Sequence, residues 1–183
     1  MSKSKGFTLV EILVALFIFS LVIGGAVNLL VSSLSAQKIS LQKEQVFREQ
    51  SSLAEYMGRA FRQATKELGS PALCLTTVGR GYNYELNSPT NNRIRFLDRN
   101  NICQQFFVSG SQIYEQKSTD SSAANFGAQV ALTSNNATAD SLLFALLGQN
   151  QTDNLQPRVT FFAQINGIQL QTTISQRNFD VQQ

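Results

Sequence analysis

The sequence predicts an α+β fold: one long N-terminal helix whose second half packs on an antiparallel β-sheet. Three observations carry this. Residues Ile12 to Val31 are apolar all round, and an amphipathic pattern continues from there to Leu68. No proline lies between Phe7 and Ser70. Beyond Pro71 the pattern changes to short alternating runs separated by turn residues.

The apolar run comes first. From Phe7 to Val31 the only charge is Glu11, and Ser20 and Asn28 are the only clearly polar members of the 20 residues from Ile12 to Val31. At about 1.5 Å per residue that stretch spans roughly 30 Å as a helix, the thickness of a bilayer core. A secretory signal has an apolar region of only about 7–15 residues and a small-residue cleavage site, and neither fits here. Lys3 and Lys5 precede the span, so the positive-inside rule puts the N-terminus in the cytoplasm and everything after about Val31 outside it.

The helical pattern then continues. Leu34, Leu41, Val46, Leu53, Met57, Phe61, Ala64 and Leu68 form a stripe, with charged residues between them. Glu44–Arg48 and Glu55–Arg59 are i,i+4 pairs in the favourable order. Gly69-Ser70-Pro71 reads as the stop, which predicts one helix through nearly all of Phe7 to Ser70. Gly24-Gly25 is its weakest point, since glycine costs roughly 1 kcal/mol relative to alanine inside a helix. Local unwinding there and an unbroken helix both remain open.

The β pattern follows. Arg93 to Leu97, Ile102 to Val108 and Gln112 to Gln116 read as a three-stranded meander, with turns at Asp98-Arg99-Asn100-Asn101 and Ser109-Gly110. Ser118 to Asn125 and Thr133 to Asp140 read as loops. Ser141 to Leu147 suits either a strand or a helix. Arg158 to Ile165 and Ile168 to Ser175, joined by Asn166-Gly167, are a hairpin. The sum is a sheet of about five strands, with the hairpin region extending from Val159 to Asn178.

Composition narrows the function. The formal net charge is +3, and it falls to +1 if Lys3 and Lys5 are removed with a leader, so the basic balance is mostly a topology signal and argues against nucleic-acid binding. A local patch at Arg93, Arg95 and Arg99 is the exception to look for. The chain has no histidine, which excludes His-based triads and His metal sites, and its acidic residues lack calcium-loop spacing. Gly79-Arg80-Gly81 reads as a turn, and Tyr82 and Tyr84 as sheet residues. Asn136-Ala137-Thr138 and Asn150-Gln151-Thr152 match a glycosylation triplet that arises often by chance. No cofactor, metal site or catalytic residue is expected, so the chain reads as a non-enzyme. Cys74 and Cys103 fall in the outside domain, where an oxidising compartment favours a disulfide. Two buried free thiols are the alternative.

The most informative segment is Lys5-Gly6-Phe7-Thr8-Leu9-Val10-Glu11. A carboxylate interrupts a hydrocarbon-seeking run, at a cost of up to about 2.5–3.5 kcal/mol at mid-bilayer and less near the span's end. A plain signal anchor accounts for the span but leaves the placement of the glycine and the glutamate to chance. Together with the basic leader, the segment resembles the class III signal of type IV prepilins and pseudopilins. The resemblance implies cleavage between Gly6 and Phe7 by a prepilin peptidase and N-methylation of Phe7. It implies that Glu11, fifth in the mature chain, compensates the Phe7 amine of a neighbouring subunit. Asn28 stands where major pilins usually carry a proline, and the Cys74–Cys103 spacing differs from their C-terminal bridge. The layout is most similar to minor pseudopilins of the J subclass and related minor pilins.

The division expected on these grounds is a leader at 1–6, a transmembrane and assembly helix at 7–31, its amphipathic continuation at 32–70 and a β-rich extracytoplasmic domain at 71–183. The expected role is a minor structural subunit that primes or caps a pseudopilus for type II secretion. The alternative is a tip subunit of a surface pilus serving adhesion, DNA uptake or motility. Expected partners are the peptidase, other pilin or pseudopilin subunits, the inner-membrane assembly platform and the membrane itself.

Overall fold

In the computed structural model, residues 6–149 and 155–176 are described. One helix, α1 (Leu9–Arg62), precedes nine strands. These are β1 (Ala64–Thr65), β2 (Tyr84–Leu86), β3 (Arg93–Asp98), β4 (Cys103–Ser109), β5 (Gln112–Lys117), β6 (Val130–Ala131), β7 (Ala139–Leu147), β8 (Arg158–Ile165) and β9 (Ile168–Ser175). The chain divides into two compact units at Gln45 and Val46. In the first unit the described residues all belong to α1 or its lead-in, and every one is exposed. The helix is unbroken at Gly24-Gly25. It is long and apolar enough to cross a membrane.

The second unit is α+β, with the end of α1 packed on antiparallel sheets. Two sheets replace the single five-stranded sheet expected. The first has the order β1-β3-β4-β5-β6, with β2 also paired to β3, and the second is β7-β8-β9. The reason lies at the helix end. Phe61 is fully buried, and its ring meets Tyr84, Phe96 and Phe106 of the first sheet and Phe144 and Phe161 of the second, at centroid distances of 5.5 to 6.4 Å. One aromatic knob thus fills the space between two inner faces, which a single flat sheet does not enclose. The segment that suited strand or helix is β7, nine residues long, with Leu142 and Phe144 buried.

The helix stops at Arg62, eight residues before the expected Ser70. Ala64 and Thr65 instead pair with Asp98 and Leu97 of β3. The Tyr84 hydroxyl donates to the Phe61 carbonyl at 2.7 Å, and the Gln176 side-chain amide donates to the Ala64 carbonyl. Carbonyls that a further helical turn would satisfy are taken by distant side chains. The expected stripe therefore ends early. Val46, Leu53, Met57, Phe61 and Ala64 are buried, but Leu68 is 66% exposed.

Turn chemistry matches the turns read from sequence. Asn166 and Gly167 both have positive φ (49° and 75°), as a type I′ hairpin requires. Gly79, Gly81 and Gly110 have positive φ as well, at 86°, 91° and 58°. Two stretches expected as loops carry some regular structure. A 3-10 turn occupies Ala123–Asn125, and β7 begins at Ala139. Leader residues Lys3 and Lys5, the triplet Asn150-Gln151-Thr152, and Asn178 lie outside the described residues.

The connection from α1 to β2 is pinned from beneath. Glu67 is 3% exposed, and its Oε1 accepts the amides of Leu73 and Cys74 at 2.6 and 2.9 Å. Its Oε2 accepts the Leu75 amide at 2.6 Å. Glu85 accepts the Thr77 and Val78 amides on Oε2 and pairs with Arg95 through Oε1 at 3.1 Å. A disulfide joins Cys74 to Cys103, with Cα atoms 5.6 Å apart. Those two residues form a small core with Leu75 and Leu97, separate from the main one. Arg95, part of the basic patch considered above, is thereby removed from the surface, with a side chain only 13% exposed.

Candidate functional site

The candidate processing and assembly site is the start of α1. Residues 6–8 are non-helical, and α1 begins at Leu9 rather than at Phe7. Nothing lies within 4 Å of the position a Cβ on Gly6 would take, so the Gly6–Phe7 bond is open on that side. Phe7 is 79% exposed.

Thr8 decides where the helix begins. Its hydroxyl accepts the Glu11 amide at 3.3 Å, and its own amide donates to Glu11 Oε2 at 3.4 Å. Its carbonyl accepts from the Glu11 and Ile12 amides at 3.1 and 3.3 Å. This is a capping box, Thr8 at the N-cap and Glu11 three residues on. It satisfies amides that have no intrahelical partner, and the carboxylate favours the positive end of the helix dipole. The Thr-x-x-Glu spacing is a local signal, but the charge of Glu11 draws the eye to partners outside the chain. Sequence reasoning therefore passed over Thr8.

Phe7, Glu11, Ile12, Ala15, Leu16 and Phe19 together line a shallow concavity on one side of the helix. Glu11, Ala15 and Phe19 lie four residues apart on α1, a single ridge in which Ala15 is the low point, and Phe7 adjoins it from the non-helical lead-in. The Glu11 carboxylate sits at the rim of an otherwise apolar groove. Such a groove accepts the side chains of another apolar helix, and the carboxylate offers a cation there a partner in poor solvent.

A second polar feature lies in the other unit, in a cleft of about 230 Å³ beside α1 and the first sheet. The Tyr56 hydroxyl donates to Glu115 Oε2 at 2.7 Å, and Lys117 Nζ donates to the Tyr56 hydroxyl at 3.3 Å. Lys117 Nζ also stands 3.2 Å from Glu115 Oε1. Burial raises the Tyr56 pKa, and its hydrogen bond to Glu115 adds to the shift. Burial alone would lower the Lys117 pKa, but Tyr56 and Glu115 more than offset it, so the net shift is upward. Tyr56, Glu115 and Lys117 thus partner one another, and at the same cleft Asp98 Oδ2 accepts from the Gln104 side-chain amide at 2.8 Å. Among the described residues no group of three or more His, Cys, Asp or Glu side chains is placed to hold a metal ion.

Residues 1–27 match the model of the prokaryotic N-terminal methylation motif. No curated protein and no solved structure matches the chain. The matched segment supports a type IV pilin-like prepilin signal, and with it a pilin-like subunit that a prepilin peptidase processes. The apolar helix that follows fits a single-pass inner-membrane protein.

Proposed function

We propose that this chain is a minor pilin-like structural subunit, cleaved after Gly6 and N-methylated at Phe7. It enters a filament from the cytoplasmic membrane. The observation that carries the reading is the arrangement at the start of α1: an open Gly6–Phe7 bond, a helix that begins only at Leu9, and Glu11 one turn further on. A peptidase needs an extended, accessible bond, and the capping box leaves residues 6–8 outside the helix. Once the bond is cut, Phe7 bears a protonated α-amino group beside the groove whose rim carries Glu11. In a filament core those two charges compensate each other between neighbouring subunits, which sets register in an apolar bundle.

The finer role is priming or capping a pseudopilus of a type II secretion system, in the layout of the J subclass. The alternative, a surface-pilus tip that takes up DNA, is weakened because Arg95 is spent on Glu85 and does not extend a basic patch. The N-terminus is cytoplasmic and the β-rich unit lies outside. The role is structural, with no catalytic step.

The reading is tested by mass spectrometry of the protein extracted from membranes of cells that possess the peptidase. The expected species starts at Phe7 and carries one added methyl group. A chain that keeps residues 1–6 in such cells overturns it.

A further inference from the structure

The turn that joins β8 to β9 carries the chain's single Asn-Gly pair, Asn166-Gly167. The pair suits the turn, since both residues take positive φ there. It is also chemically weak. Glycine has no side chain, so nothing shields its backbone nitrogen from the carboxamide of the preceding asparagine. When the Gly167 nitrogen attacks Cγ of Asn166, a new N–C bond forms and the carboxamide C–N bond breaks. Ammonia leaves with the proton of the Gly167 nitrogen, and a five-membered imide remains. Water opens the imide to aspartate or to isoaspartate, and the second adds one carbon to the main chain.

In the fold both partners of this reaction are already engaged, and by one short segment, the start of β7 and its lead-in. Asn166 Oδ1 accepts the Thr138 amide at 2.9 Å, and Asn166 Nδ2 donates to the Asn136 carbonyl at 3.3 Å. The Asn166 amide donates to the Thr138 carbonyl at 2.8 Å. The Gly167 amide donates to Asp140 Oδ2, also at 2.8 Å. A bulge brings Asp140 there. Ala139 pairs with Ile165 and Ser141 with Gln164, so the register of β7 on β8 passes over Asp140. A bulge re-aims the side chain of its extra residue, and here that side chain meets the turn. Asn166, Gly167 and Asp140 are all exposed, so water reaches the pair and burial gives it no shelter.

We propose that Asn136 to Asp140 form a clamp that protects the Asn166-Gly167 peptide from deamidation, with Asp140 as its positioning residue. Two effects act together. The carboxamide of Asn166 is tied through both its oxygen and its nitrogen, so swinging Cγ toward the Gly167 nitrogen breaks both bonds. The Gly167 nitrogen must also shed its proton to attack, and the Asp140 carboxylate beside it opposes the negative charge that results. What the clamp guards is the seating of α1 on the second sheet. The Ile168 carbonyl, next to the turn, accepts the side-chain amide of buried Gln50 at 2.8 Å. Further along β9, Ile174 Cδ1 lies 3.3 Å from the position a Cβ on Gly58 would take. An isoaspartate lengthens a turn that must have two residues, and so disturbs the eight-residue register that holds both contacts in place.

Peptide mass spectrometry of the full-length chain, aged in detergent at neutral pH, tests it. The amide-to-acid mass gain at Asn166 is expected to accumulate at least about tenfold more slowly in the folded protein than in the same chain unfolded in urea, since two or more hydrogen bonds must open first. Asp140→Ala should raise the folded rate about fivefold, the factor that one lost hydrogen bond corresponds to. Asp140→Asn keeps an acceptor oxygen without the charge, and its rate should fall between wild type and Asp140→Ala. Thermal melts of both variants accompany the rates, and if Asp140→Ala melts lower than wild type, Asp140→Asn alone decides. A folded rate equal to the unfolded rate overturns the proposal. So does an Asp140→Asn chain that deamidates no faster than wild type. A slower rate in that variant would make Asp140 the base that drives the reaction, the opposite of a clamp.

Discussion

The Thr8 hydroxyl accepts the Glu11 amide while the Glu11 carboxylate accepts the Thr8 amide, at 3.3 and 3.4 Å. Glu11 therefore holds a place within its own chain before any neighbour arrives. On the proposed reading, assembly does not meet a bare carboxylate in hydrocarbon. It meets one whose cost is already reduced by an amide and by the helix dipole.

Thr8→Ala is expected to lower helix stability at the N-terminus by about 1 kcal/mol, the usual value of a lost N-cap. Hydrogen exchange at the Glu11 and Ile12 amides, measured in detergent, should speed up about fivefold. Unchanged exchange at both would show that the carbonyl contacts alone hold the turn.

Glu11→Ala is expected to leave the proposed cleavage at Gly6–Phe7 intact, because the Thr8 hydroxyl can still accept the residue-11 amide and keep that bond outside the helix. On the proposed charge pairing, incorporation into filaments should fall, since the terminal amine of a neighbour would lose its partner. Quantifying the variant in sheared filament fractions and in membranes separates the two steps. Wild-type incorporation would remove the charge pair from the account.

Glu67→Gln keeps the shape of the side chain but turns an amide donor toward backbone N–H groups that need an acceptor. A loss on the order of 2–4 kcal/mol is expected, as for a broken charge-assisted bond at a buried site. The Leu73–Gly81 connection should become the first site of limited proteolysis. A melting temperature within a degree of wild type would refute the pinning role.

Removing the disulfide as the double variant Cys74→Ser, Cys103→Ser frees a loop of 29 residues' separation. The chain-entropy model gives about 3–4 kcal/mol for a loop of that size. The bridge is the covalent link between the α1–β2 connection and β4 across the small core of Leu75 and Leu97, so that corner should open before the main core. Hydrogen exchange should show amides of 73–79 faster by a larger factor than those of β8. Uniform acceleration would place the bridge's effect on the unfolded chain alone.

Alkaline stability should depend on Tyr84. Its hydroxyl is buried and donates to the Phe61 carbonyl, and burial pushes its pKa far above the ordinary value. Tyr56 is raised as well, first by burial and then by Glu115. A raised folded pKa means that the folded state keeps a proton the unfolded chain releases. The stability so contributed is complete below about pH 10 and is lost as pH rises through the folded values. Urea midpoints should hold between pH 8 and 9 as far as these groups contribute, then decline above about 10. Tyr84→Phe should make that decline shallower. An equally steep decline would assign it to other groups.

Local patterns carried much of this molecule. The apolar run from Ile12 to Val31 specifies a membrane-length helix by composition alone, because lipid asks only for hydrocarbon and satisfied backbone. Asn166-Gly167 specifies its hairpin because few residue pairs take two positive φ values. The meander from β3 to β5 was legible from alternation and turn residues. The Gly6-to-Glu11 segment was legible as a signal because its meaning lies in spacing along the chain.

What tertiary structure decided depends on groups far apart in sequence. The stripe that ran on to Leu68 ends at Arg62 because Tyr84 and Gln176 supply partners to the carbonyls of Phe61 and Ala64. The strands divide into two sheets whose inner faces both pack aromatic rings on Phe61, residues far from it in sequence. Glu67 and Glu85 look like ordinary helix and loop charges in the sequence, and folding makes them buried anchors for five backbone amides. Propensity and periodicity report what a segment can do alone. Which alternative it adopts is set by whether a distant donor, acceptor or ring is brought within reach.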